Sequence, residues 1–84
     1  MTNGDEQEYH GWANYQTWNV VLWIDNDESL YNLRMESDSY ETFVQSLRDA
    51  SGDKPIGYET PDGVPWKDSA LDLERINEWW AAKE

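Results

Sequence analysis

The 84-residue chain has no cysteine, one histidine, only six basic residues and no long apolar run. Each shortage removes a class of function. Without cysteine there is no disulfide, thiol nucleophile or thiolate metal site, which fits a reducing compartment. The lone His10 lies in an acidic lead-in and gives no metal-binding histidine pair. Arg34, Arg48, Lys54, Lys67, Arg75 and Lys83 are scattered singly, each close to acids. No basic patch therefore exists to track phosphates, and direct nucleic-acid binding is disfavoured. No stretch approaches the roughly 18 apolar residues of a membrane span. The opening "MTNGDEQEY" is acidic and polar rather than basic then apolar, so no signal peptide is expected. Phosphate loops and nucleophile elbows are missing as well. Paired carboxylates are plentiful, but glycosidase chemistry needs two acids held across a cleft, which so small a helical domain does not suggest. The expectation is a protein that is not an enzyme and carries no cofactor.

Aromatic residues and acids are what the chain has in quantity. Six tryptophans and five tyrosines supply large buried areas per side chain. They must, because ordering such a chain costs on the order of 100 kcal/mol of conformational entropy. Eighteen acids against six bases give a formal charge of −12. That balance repels nucleic acid and anionic membrane, and it attracts basic surfaces.

Patterning predicts an all-α single domain over residues 11–84, behind a flexible acidic lead-in over 1–10. Thr17 is the expected cap of a first helix from Trp18 to about Asp25, apolar around nearly its whole circumference and interrupted only by Asn19. Asp27 can cap a second helix with Leu30 and Leu33 inward and Tyr31 and Met35 widening the stripe. Asp38 or Ser39 caps a third, where Tyr40, Phe43, Val44 and Leu47 follow helical spacing and Gly52 ends the run. Residues 53–67 hold all three prolines and read as an ordered loop around the turn "TPDG". A short hairpin over 56–66, giving an α+β fold, is the minor alternative, since Pro65 discourages pairing. Tyr58, Val64 and Trp66 are expected to pin this loop. A fourth helix is expected from Asp68 or Ser69, with Leu73, Ile76 and Trp80 inward, flanked by Ala70 and Trp79.

The acids fall into clusters around these helices. Asp25, Asp27 and Glu28 mark the first helix junction, and Glu36, Asp38 and Glu41 the second. Asp72, Glu74 and Glu78 lie on the last helix, where Glu74 and Glu78 are one turn apart. Carboxylates on rigid helices at roughly 6 Å intervals match the spacing of phosphates along a nucleic-acid strand, while taken singly each reads as a cap or a solvated face. "DNDESLYNLRME" also places Asp25, Asp27, Ser29 and Glu36 at calcium-loop positions 1, 3, 5 and 12. Leu30 stands where that loop needs glycine, so no metal site is assigned.

The stretch "GWANYQTWNVVLWIDNDESLYN" resembles a recurring segment of small proteins encoded by phages and mobile elements. Trp12, Asn14, Tyr15, Thr17, Trp18, Asn19, Val20, Leu22, Trp23, Asn26, Asp27, Leu30 and Tyr31 occupy its positions. "TPDGVPWKDSALD" is similar to a second segment of that group. The resemblance carries no activity, but it implies a setting: small acidic proteins of phages and plasmids often disarm host defence, several by imitating DNA in shape and charge.

Two functions are expected from different classes. The first is an anti-CRISPR-type inhibitor in the bacterial host cytoplasm, a monomer occupying a basic DNA-binding surface of a defence complex. A multi-subunit type I surveillance complex is the preferred target. Asp25, Asp27, Glu28, Glu36, Asp38, Glu41, Asp72, Glu74 and Glu78 would act as the phosphate mimics. The alternative is a phage accessory interaction module with an aromatic patch of Trp12, Trp66 and Trp79, its charge serving only solubility.

Overall fold

Four helices follow one another in a computed structural model that describes residues 11–82. The lead-in over 1–10, with His10, lies outside the described residues, as does Lys83. Helix α1 spans Tyr15–Asn26, α2 Glu28–Glu36, α3 Tyr40–Ser51 and α4 Leu73–Ala81. Short-range hydrogen bonds set most of the ends. Asp27 closes α1 by donating its N–H to the Trp23 carbonyl, and its carboxylate opens α2 by accepting from the Leu30 N–H. One extended residue thus turns the chain between two helices. Ser39 caps α3, and Gly52 ends it with a positive φ of 62° that a side chain would resist.

Two helix starts differ from those read in the sequence. α1 begins nearly a turn early, because Asn14 accepts the Thr17 N–H at 2.9 Å and serves as the cap. The Thr17 hydroxyl is instead spent across the fold, accepting the Asp72 N–H at 3.0 Å. α4 begins late, at Leu73, with Asp72 as its cap. Asp68 holds a separate turn ahead of it, accepting the Ala70 N–H at 2.8 Å. Leu73 is therefore the first helical residue and is 43% exposed rather than part of the inner stripe, which Ile76 and Trp80 supply.

The core is an aromatic cluster from three parts of the chain. Phe43 lies 5.3 Å from Trp80 and 5.7 Å from Trp66 between ring centroids, and Tyr40 lies 5.9 Å from Trp80. Each polar atom of these rings ties down a chain segment. The Tyr40 hydroxyl donates to the Trp66 carbonyl (2.6 Å), Trp66 Nε1 to the Ile56 carbonyl (2.7 Å), and Trp80 Nε1 to the Ser37 carbonyl (2.9 Å). Burial, reinforced by the nearby Glu41 charge, holds the Tyr40 phenol well above its ordinary pKa, so it stays a donor.

The loop between α3 and α4 carries a short 3-10 turn over Pro55–Gly57 and one isolated antiparallel bridge, Glu59 with Pro65. The hairpin alternative therefore reduces to a single bridge around the Thr60–Gly63 turn, and the domain is all-helical. Asn19, fully buried on α1, holds that turn. Its Oδ1 accepts from the Thr60 hydroxyl (2.7 Å) and its Nδ2 donates to the Asp62 carboxylate (2.8 Å). Trp23 Nε1 donates to the same carboxylate oxygen at 3.0 Å. Val64 and Trp66 are buried beneath the loop, whereas Tyr58 is held at the surface by the Arg48 guanidinium, 4.2 Å above its ring.

Replacing Tyr40 by Phe leaves the buried Trp66 carbonyl without this donor and should cost about 1–3 kcal/mol. For a domain of this size that lowers Tm by about 4–8 °C per kcal/mol, read by thermal denaturation. An unchanged Tm would show that the tie carries no weight. A pH effect follows from Asp62, whose carboxyl is pushed down first by the Asn19 hydrogen bond and then by that from Trp23. A depressed folded pKa stabilises fully above the unfolded value of about 3.9 and is lost as pH falls through the folded one. Asp62→Asn should therefore flatten the acid side of the Tm–pH curve below about pH 4 while leaving its shape unchanged above about pH 5. Identical acid limbs would refute the linkage.

Candidate acidic interface

Eleven of the fourteen acids within residues 11–82 are exposed, so the negative charge is carried outward from the helices. Of the nine acids singled out in the sequence, Asp25, Glu28, Glu36, Asp38, Glu41, Glu74 and Glu78 are exposed. Asp27 and Asp72 are half-buried caps whose carboxylates bind the Leu30 and Arg75 N–H groups. They contribute charge at the helix starts but have less freedom to meet a partner.

Asn77 ties an acid of α3 to α4. Its Oδ1 accepts the Tyr40 N–H at the start of α3 (3.0 Å), and its Nδ2 reaches both Glu41 carboxylate oxygens at 3.1 and 3.3 Å. Glu74 lies one turn before Asn77 on α4, and Glu78 follows it directly. Trp80, further along α4, is bonded to the Ser37 carbonyl between Glu36 and Asp38. Acids from the second helix junction and from the last helix therefore edge one α3–α4 seam. Asp25, Asp27 and Glu28 form a separate group at the α1–α2 corner. No sequence signal singled out Asn77, because its partners are 36 and 37 residues away.

Each of the three arginines lies over one of the chain's own rings. Arg34 lies 3.7 Å from the Trp79 centroid and 5.4 Å from that of Trp80, and it donates to the Trp79 carbonyl at 2.8 Å. Arg75 lies 4.8 Å over Trp12, and Arg48 over Tyr58. Arg34 is itself buried. Desolvation lowers its pKa, opposed by the Asp25 charge, and a guanidinium remains protonated under these influences. Placed at the C-terminal end of α4, it meets the negative pole of that helix. The sequence shows Arg34 as one more scattered base; only the packing reveals that it is a buried joint.

The aromatic patch is corrected in part. Trp66 is buried, with 1% of its surface exposed, because its ring fills the space beside Phe43 and its indole N–H is bonded to Ile56. Trp12 and Trp79 do come together, edge to face at 6.0 Å, and both are half-buried. The calcium-loop spacing does not become a loop. Glu28–Glu36 is helical, and a rise of 1.5 Å per residue carries Glu36 about 12 Å along the axis from its start. Among the described residues no group of three or more acids or histidines could hold a metal ion, and no helix is long and apolar enough to cross a membrane.

No curated protein and no solved structure matches the chain. A family model described as a family of unknown function, DUF7249, matches residues 5–84, and the chain belongs to that family.

Proposed function

We propose that this protein is an acidic inhibitor of a bacterial defence complex, occupying a basic surface built for DNA and blocking target DNA. The preferred target is a multi-subunit type I CRISPR surveillance complex, whose DNA path is long and lysine-lined. The supporting observation is the division of charge: eleven acids exposed on a helical frame, with every arginine stacked on an aromatic ring of its own chain. The action is occupancy rather than catalysis, by a monomer in the host cytoplasm, with no direct nucleic-acid or membrane contact. Glu41, Glu74 and Glu78 along the α3–α4 seam lead the contact, with Glu36 and Asp38 beside them and Asp25, Glu28 and the caps Asp27 and Asp72 adding to the field. Charge attraction speeds the encounter and is screened over about 10 Å at 0.1 M salt.

The Trp12–Trp79 pair supports a second reading, an accessory protein-interaction module, because these two rings meet at the surface margin of the fold. In that case salt barely alters binding and Trp79→Ala weakens it strongly.

The test is displacement of target DNA from a purified type I surveillance complex across a salt series, with native protein and the Glu74→Lys, Glu78→Lys double variant. Each reversal shifts the charge by two, taking the formal −12 to −8. Both sites are exposed, so the fold should change by no more than about 0.5 kcal/mol. Association should slow by about tenfold at low salt, with a smaller change in dissociation. Failure of the native protein to displace DNA even at low salt would remove this target, and salt-independent displacement would remove the charge mechanism.

A further inference from the structure

A groove of about 380 Å³ opens beside the α3–α4 seam. Its apolar walls are Val44, Trp66 and Leu73, with the Tyr40 ring between them. Leu73 is the unusual member. It stands 43% exposed in the first turn of α4, an aliphatic side chain at the mouth of a recess instead of inside the core. Covering a leucine is worth enough that a partner seating an apolar group here would gain directly. The rim carries Glu41 and Asp68, and Glu74 adjoins Leu73 in the chain. The single base on the rim is Lys67.

We propose that this groove is the anchoring site for an apolar side chain presented by a lysine- or arginine-rich segment of the protein partner. The recess accepts the apolar group, and the carboxylates around it accept the flanking cations. A small uncharged apolar molecule satisfies only the walls, and a second copy of this acidic chain brings like charge to the rim. The inference rests on the proposed binding of a basic surface and names the contact that gives the complex its lifetime. Encounter depends on the field of many acids, whereas residence depends on the few atoms buried at the groove.

The experiment uses a short synthetic peptide with one leucine flanked by lysines, its leucine→serine counterpart, and amide and indole NMR shifts of the labelled full chain. Shifts should cluster at Val44, Trp66 and Leu73. The serine peptide should bind at least about tenfold more weakly, the scale of one leucine side chain leaving a buried site. Leu73→Ser should produce the same loss while the salt dependence of the remaining binding stays as in the native chain. Gln45→Trp places a bulky ring at the groove from an exposed helix position and provides a variant that leaves the α4 start intact. It should also abolish the leucine–serine difference.

Equal affinity of the two peptides, or shifts spread over the acidic faces and absent from the groove, would overturn the proposal. Salt-sensitive binding that survives in that case would leave the charge mechanism standing, so the two failures are distinguishable. Equivalent groove shifts with octyl glucoside would make the site a general apolar one and overturn the basic-segment assignment. Shifts of the same residues on concentrating the protein alone would assign the groove to a second copy.

Discussion

The fold depends on securing the twenty-one residues between α3 and α4, which have too little regular structure to hold themselves in place. Trp66 is the main fastening. Its ring packs on Phe43, its indole N–H is bonded to Ile56 within the loop, and its carbonyl accepts the Tyr40 hydroxyl from α3. One residue thus joins the loop to the core through packing and hydrogen bonds together. A small domain without disulfides gains from this, because a buried tryptophan contributes apolar area while its polar groups do not go unsatisfied.

The second fastening is polar and explains the composition of α1. Asn14, Thr17 and Asn19 reach Ala70, Asp72, and the Thr60–Asp62 turn respectively. Segments 11–32 and 60–72 are therefore the two sides of one joint. Such a joint favours a single register of the loop on the helices, since shifting it would leave buried amide and hydroxyl groups without partners.

Ends governed by neighbouring residues were legible in the sequence: Asp27, Ser39 and Gly52 act locally, and the Tyr40, Phe43, Val44, Leu47 spacing maps directly onto the core. The starts of α1 and α4 were not, because the Thr17 hydroxyl is committed to the Asp72 N–H 55 residues away. Asn19 was legible only as an interruption of an apolar circumference, while its position makes it a central polar contact of the loop. Trp66, in a loop, reads both as a pin of that loop and as a member of an exposed patch; the loop folds its ring inward, which meets the first expectation and not the second. The exposed acids were identifiable one by one. Their gathering along the α3–α4 seam was not, because it depends on Asn77 bonding across helices.

The same constraints account for the placement of charge. An aromatic-rich core leaves rings at its margin, and arginine is the base best suited to cover a ring face while remaining charged. Arg34, Arg48 and Arg75 take that role, with Arg34 buried at a joint of the fold, while most acids occupy its outer surface. An outward field of one sign guides encounter but is shared among many residues and gives little selectivity by itself. Selectivity needs a site where shape and desolvation also matter. Leu73 and the groove behind it lie beside the acids at the seam, so the charged field and an apolar recess share one face. On the proposed reading, a basic partner lacking a suitable apolar residue would be attracted to this face but held only briefly, and that difference in residence would separate a specific target from other cationic surfaces.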